Sequence, residues 1–373
     1  METRFGKWIK TKGFARLFVL VLLGAACYMG LRAGNAADWL WGRRLYGPIF
    51  LLVLLLMLLA AYAQHTGVQG RLPRCCKRIS AYFLCFLLYD VLALLVFDLA
   101  GLLLRLGPAV RGWLVVAAAA ISALLLLWGS AHARRLKTVR YAVELGMEPG
   151  TRLVLLSDLH IGIFIGAGYL ERVAAAVNRL EPELVVISGD LFDGYLPADD
   201  DQLGRAAGAL RKIRAPGGIY AVVGNHDPAV TDQRFHRFLK EAGIQLLHNE
   251  AVELENMNLV GRAGIVDSRD GRVPLGRLLQ ETEPRKRTVV LDHDPQGIRE
   301  AVSYGADLVL CGHTHKGQFF PMTILTRLAN GRDYFYGERS FGKTHAIISA
   351  GTGFFQLPIR IGTDSEIVAV DLQ

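Results

Sequence analysis

At 373 residues the chain is long enough for two or three units, each with its own core. Its formal charge of +8 is unevenly spread, because residues 1–140 set 18 Lys and Arg against only Glu2, Asp38, Asp90 and Asp98, leaving the remainder net acidic. An acidic C-terminal part argues against nucleic-acid binding, which wants a basic patch there.

Cys27, Cys75, Cys76, Cys85 and Cys311 show no disulfide spacing, so a reducing compartment is expected. Residues 14–31, 49–63, 79–104 and 113–131 form four apolar segments near the length of about 20 that a spanning helix needs. The second is the shortest. For the first, Gly24-Ala25-Ala26-Cys27 hints at a lipoprotein signal, but a retained helix is the expectation. A transmembrane domain is therefore predicted over residues 1–133, a basic linker over 134–150, and a second domain over 151–373.

With four spans, one side of the membrane carries Arg4, Lys7, Lys10, Lys12, Arg16, Arg71, Arg74, Lys77, Arg78, Arg134, Arg135, Lys137 and Arg140. The other carries only Arg32, Arg43, Arg44, Arg105 and Arg111. Positive loops stay inside, which predicts a multi-pass protein of the inner (cytoplasmic) membrane with a cytoplasmic second domain. Asp90 and Asp98 lie within the third span, where carboxylates are expensive and are functional candidates. A proton or ion pathway is one reading. The other packs Asp90 between helices and pairs Asp98 with Arg105.

From residue 151 short apolar runs alternate with helical stretches. Strands are expected at 153–156, 184–187, 219–223, 288–291 and 308–311, and helices at 169–179, 201–214 and 232–242. Further strand-like text falls at 251–254, 259–260, 346–349 and 367–372. Strands that alternate with helices and then pair among themselves suggest two packed sheets with helices outside. Each of the first five strands ends on a polar block: Asp158-Leu159-His160, Gly189-Asp190-Leu191-Phe192-Asp193, Gly224-Asn225-His226-Asp227, His293, and Gly312-His313-Thr314-His315. Loops at the carboxyl ends of strands form the ligand crevice of open α/β sheets.

This series resembles the signature of the calcineurin-like metallophosphoesterases: D-x-H, G-D-x-x-D, G-N-H-D/E, a lone His and G-H-x-H, in that order. The tail from Gly351-Thr352-Gly353 to Ile367 is similar to the ending of that family's membrane-attached branch. Some members of the branch hydrolyse UDP-2,3-diacylglucosamine in lipid A biosynthesis; others are transmembrane proteins with a phosphoesterase domain. One departure is Lys316, where Gly more often follows, and it bears on substrate specificity rather than on the metal site.

The resemblance implies an α-helical membrane bundle followed by a four-layer αββα sandwich holding two divalent metal ions. One ion would take Asp158, His160, Asp190 and His315. The other would take Asp190, Asn225, His293 and His313, with Asp190 as the bridge. An all-oxygen and imidazole set favours Mn, Fe or Zn. His226 is expected to act on the phosphoryl or leaving-group oxygen, with Asp227 orienting its ring. Asp193 is expected to support a ligand histidine or to cap a turn. Arg360 is a candidate clamp for a second phosphate, with a structural arginine as the alternative.

Apolar residues follow the ligands: Ile161, Ile163, Phe164 and Ile165; Phe319, Phe320, Met322, Ile324 and Leu325; Phe354, Phe355 and Leu357. Greasy loops at a site's rim suggest contact with lipid, or they pack on one another. The expected function is a membrane phosphohydrolase cleaving a phosphodiester or pyrophosphate bond in a phosphorylated small molecule or lipid-linked substrate. The rival is a transporter or sensor that uses the phosphoesterase fold as a regulatory module.

Overall fold

The computed structural model describes residues 12–42, 45–65, 71–147, 151–264 and 271–373. They divide into two compact units, one within residues 12–131 and 357–359, the other within 132–356 and 360–373.

The first unit is helical: α1 (Lys12–Trp41), α2 (Tyr46–His65), α3 (Arg71–Leu103) and α4 (Pro108–Ala133). Of these, α1, α3 and α4 contain stretches long and apolar enough to cross a membrane, and α2 contributes the shorter apolar stretch Tyr46–Ala60. Leucines cover the outside of the helices, and a thin core of small and flexible residues, including Ala26, Met29, Met57 and Ala118, lies between them. Of the basic residues counted for orientation, Arg4, Lys7, Lys10, Arg43 and Arg44 lie outside the described residues. Asp98 is neutralised differently from the expectation. Arg32 Nη2 reaches its Oδ1 at 2.5 Å and the Tyr28 hydroxyl donates to Oδ2 at 2.6 Å, so the partner is a residue of α1 rather than Arg105. Asp90 is buried, and its Oδ1 has no hydrogen-bond partner among the described residues.

The second unit is built on two six-stranded sheets. The first runs β1 (Leu136–Val143), β12 (Ser365–Leu372), β2 (Thr151–Leu156), β3 (Leu184–Ser188), β4 (Ile219–Val222) and β5 (Gln245–Leu246). The second runs β10 (Gly337–Phe341), β11 (Thr344–Ile348), β9 (Leu308–Cys311), β8 (Arg287–Leu291), β7 (Met257–Gly261) and β6 (Glu250–Glu253). Neighbours β2 to β5 are parallel, as are β7, β8, β9 and β11.

Side-chain alternation explains the layers. Leu153 and Leu155 of β2, with Leu184 and Val186 of β3, meet Leu259, Leu291 and Leu310 between the sheets. The residues between them, Val154, Leu156, Val185 and Ile187, turn outward onto α5 (Ala167–Asn178), α6 (Asp200–Leu210) and α7 (Gln233–Ala242). On the far face of the second sheet, Val290 and Val309 pack against α8 (Leu275–Leu279) and α9 (Ile298–Ser303). The expected αββα sandwich is the observed one.

Two sequence readings are corrected. The stretch read as a basic linker, 134–150, contributes β1, which pairs parallel with β12 from Leu136 opposite Ser365 to Val143 opposite Leu372. Residues 148–150 of it lie outside the described residues. The apolar run after Phe320 is not a loop throughout: it forms α10 (Met322–Asn330).

Candidate metal centre

Every ligand candidate sits just beyond a strand end. Asp158 and His160 follow β2, Asp190 follows β3, and Asn225 follows β4. His293 follows β8, and His313 and His315 follow β9, so both sheets deliver side chains to one place. Asp158, His160, Asp190, His313 and His315 all have positive φ, from 47° to 71°. Left-handed backbone costs a non-glycine residue on the order of 1–2 kcal/mol, and such strain gathers at functional sites. Asp and His are among the non-glycine types that tolerate this conformation best. The glycines beside them are more explicit: Gly189 has φ 76°, and a Cβ there would lie 2.7 Å from both the Gly224 nitrogen and His293 Nδ1.

Seven side chains converge. The Nε2 atoms of His160 and His315 are 3.0 Å apart, and His315 Nε2 lies 3.3 Å from Asp158 Oδ1. A second set surrounds His293 Nε2: Asn225 Oδ1 at 3.1 Å, His313 Nδ1 at 3.2 Å and Asp190 Oδ2 at 3.2 Å. Asp190 Oδ2 also lies 3.7 Å from His160 Nε2, between the two sets.

These spacings fit divalent cations. Two ligand atoms each about 2.1 Å from one ion stand about 3.0 Å apart at a right angle and about 3.4 Å apart at the tetrahedral angle. Burial pushes His160 down to about 3 and His315 well below the ordinary histidine value, so both rings are neutral. The two Nε2 atoms face each other beside a carboxylate, and among the described residues both Nδ1 atoms are buried without hydrogen-bond partners, an arrangement in which a cation would take both Nε2 lone pairs and the carboxylate together. Burial lowers the pKa of His293, yet Asp190 beside it overrides this and lifts it to about 10. Its ring is fixed because Nδ1–H donates to the Ser188 carbonyl at 2.8 Å, which turns Nε2 inward.

Comparison with known proteins agrees with this geometry. Residues 151–317, which hold all seven side chains, match the model of the calcineurin-like phosphoesterase family. The chain is 34% identical over 279 residues to a "transmembrane protein with metallophosphoesterase domain" of Danio rerio, covering 69% of this chain and 62% of that one. It is 33% identical over 250 residues to an "uncharacterized metallophosphoesterase" of Aquifex aeolicus, covering 64% of this chain and 92% of that one. The chain belongs to the calcineurin-like metallophosphoesterases. It spans less than two thirds of the Danio relative, and likewise of a metallophosphoesterase of Helicobacter pylori strain J99, 30% identical, of which it covers 65%.

Around the ligands of this metallophosphoesterase unit the supporting residues differ from expectation. Asp227 does not orient the His226 ring. Its Oδ1 accepts from the Phe192 N–H at 2.9 Å and its Oδ2 from the Gly224 N–H at 2.8 Å, stapling the loops after β3 and β4. Burial raises its pKa to about 7. The His226 ring instead lies against Phe355, with ring centres 4.3 Å apart, while the His226 N–H holds Asp190 Oδ1 at 2.8 Å. Asp193 Oδ1 stands 3.8 Å from His160 Nδ1, beyond hydrogen-bond reach.

Arg360 takes the structural alternative: fully buried, it donates to the carbonyls of His315, Ala350, Gly351 and Gly353 and presents no exposed face to a phosphate. Arg272 pairs with Asp292, next to His293, and this pair had no sequence signal. The apolar loops separate: Ile161, Ile163, Ile165 and Phe354 are buried, whereas Phe320, Ile324 and Leu325 are exposed.

Proposed function

We propose that this protein is a membrane-anchored phosphohydrolase that cleaves a phosphodiester or pyrophosphate bond. The observation carrying this reading is the approach of Asp190 Oδ2 to both histidine sets at once. Asp158, His160, Asp190 and His315 would hold one divalent ion, and Asp190, Asn225, His293 and His313 the other. When bound, such a pair supplies Lewis acidity toward the phosphoryl group and activates the attacking water.

The chain's own residues position the reaction. His226, half-buried at the rim and lying on Phe355, meets the phosphoryl or leaving-group oxygen and donates to it. Asp227 keeps the His226 loop in place rather than taking part in proton transfer. Burial lowers the His226 pKa, against the opposing pull of Asp190. The substrate class is lipid-linked, with UDP-2,3-diacylglucosamine the sharpest candidate and a role in lipid A biosynthesis the corollary. Manganese is the first metal to test. The helical unit would span the inner membrane four times, with the metallophosphoesterase unit on the cytoplasmic side. A transporter reading rests on Asp90 and Asp98, and the Arg32 and Tyr28 contacts to Asp98 weaken it.

The test is a panel of UDP-2,3-diacylglucosamine, a nitrophenyl phosphodiester and a cyclic nucleotide, each with Mn, Fe or Zn added. The reading expects metal-dependent turnover with the acylated pyrophosphate preferred. Cyclic-nucleotide preference would reject the lipid-linked class, and no turnover on any of the three would reject the hydrolase.

A further inference from the structure

A cavity of about 590 Å³ opens between α10 and the turn that carries Lys316, within the size range of small-molecule sites. It begins one residue beyond His315, and Thr314, between the two motif histidines, donates its hydroxyl to the Phe335 carbonyl in the cavity wall at 2.7 Å. The wall is therefore tied to the metal-centre loop.

The lining has two characters. Lys316, Arg327 and Arg332 supply three cations, and no carboxylate is among the lining residues. Neither Arg327 nor Arg332 has a carboxylate partner within salt-bridge distance among the described residues. Ile324, Leu328 and Phe335 supply apolar surface. On α10 the positions 324, 327 and 328 follow the i, i+3, i+4 spacing, so Arg327 rises from the same face as two outward-facing aliphatic residues, 51% and 56% exposed. A soluble helix ordinarily turns such residues inward. Lys316 Nζ lies 4.0 Å over the Tyr336 ring, which holds the ammonium at the cavity's edge.

We propose that this cavity is the subsite for an acylated, anionic phosphoester, and this rests on the hydrolase reading of the adjoining centre. Arg327 and Arg332 take the anionic groups through paired N–H donors, and Ile324, Leu328 and Phe335 take the first carbons of the acyl chain. Free phosphate uses only the cations, and a neutral lipid only the apolar wall. Lys316, where a glycine would leave the edge uncharged, becomes a specificity determinant.

The test measures binding to the full chain in a nonionic detergent. The probes are dihexanoyl phosphatidic acid, dihexanoyl phosphatidylcholine and inorganic phosphate. Wild type is expected to bind the phosphatidic acid at least about tenfold more tightly than either other probe. The exposed double variant Arg327→Glu with Arg332→Glu should lose that preference. Ile324→Ser with Leu328→Ser should weaken the phosphatidic acid while leaving inorganic phosphate unchanged. Unaltered melting temperatures show that both variants fold.

Equal affinities for the two lipids in wild type, or variants that bind as wild type does, would overturn the subsite. Because the readout is binding, the two readings fail separately. Wild type that shows the lipid preference without hydrolysing any phosphoester would sink the proposed function and leave an anionic-lipid site. Wild type that hydrolyses a nitrophenyl phosphodiester without lipid preference would sink the subsite alone.

Discussion

His226 and Arg360 show how differently two residues can serve one site. His226 reaches the rim with its backbone N–H fixed to Asp190, so its ring is placed by the same carboxylate that joins the histidine sets. If it donates to the leaving group, His226→Ala should lower kcat by roughly 10²–10⁴-fold on an alkyl phosphodiester. The loss should shrink for a nitrophenyl ester, whose leaving group needs no proton. Equal losses on both would contradict the assignment.

Arg360 has no such chemistry; it holds four carbonyls, His315 among them. Arg360→Met leaves the Ala350 carbonyl buried and unpaired and takes one of two donors from the carbonyls of His315, Gly351 and Gly353, at an expected cost of about 1–3 kcal/mol measured by urea unfolding. A variant as stable as wild type would contradict this.

The motif residues were legible because metal chemistry restricts their identities to carboxylate, imidazole and amide. Their supports were not. The Ser188 carbonyl, which sets the His293 ring, belongs to every residue type, and the Phe192 and Gly224 N–H groups that claim Asp227 are equally anonymous.

Among elements, the strand ends do the positioning. Gly189 lets β3 and β4 approach, and Gly189→Ala forces its Cβ onto the Gly224 nitrogen and His293 Nδ1. Metal content should fall along with stability. Calorimetry and metal analysis would check this, and retained metal at wild-type stability would contradict it.

The second sheet is buttressed on its far side, where Arg262 and the Leu275 N–H meet Glu300 at 2.8 and 2.7 Å. Burial opposes ionisation of Glu300, but these donors outweigh it and hold the carboxyl below its ordinary range. A depressed folded pKa gives stability that is present above the unfolded value and lost as pH falls through the folded one. Glu300→Gln should therefore flatten the acid limb of the stability profile below about pH 4.5. An unchanged profile would count against the contact.

Buried strands such as β2, β3 and β9 were readable as unbroken apolar runs. β1 was not, since it is an edge strand whose exposed positions carry Lys137 and Arg140 and read as a basic tether. α10 was missed because its aliphatic residues face outward and carry no sign of a core.

For the molecule as a whole, the division into a helical unit and a two-sheet unit was visible in the charge split and the four apolar segments. The pairing of Asp98 was not, because its partner Arg32 is 66 residues away on α1. Removing one member strands a charge among apolar helices, so Arg32→Leu should destabilise the detergent-solubilised chain by about 3–5 kcal/mol. Adding Asp98→Leu should recover most of it, and a double variant no better than the single would contradict the pair.

The central claim is that Asp190 joins two cation sites into one hydrolytic centre. Its most direct test is the metal content and phosphodiester turnover of the purified full chain beside Asp190→Asn. The account predicts two transition ions per wild-type chain with metal-dependent turnover. In the variant, turnover should fall by more than the 10–100-fold that loss of an outer support costs. Wild-type turnover in Asp190→Asn, or a metal-replete wild type inert toward every phosphoester, would contradict it.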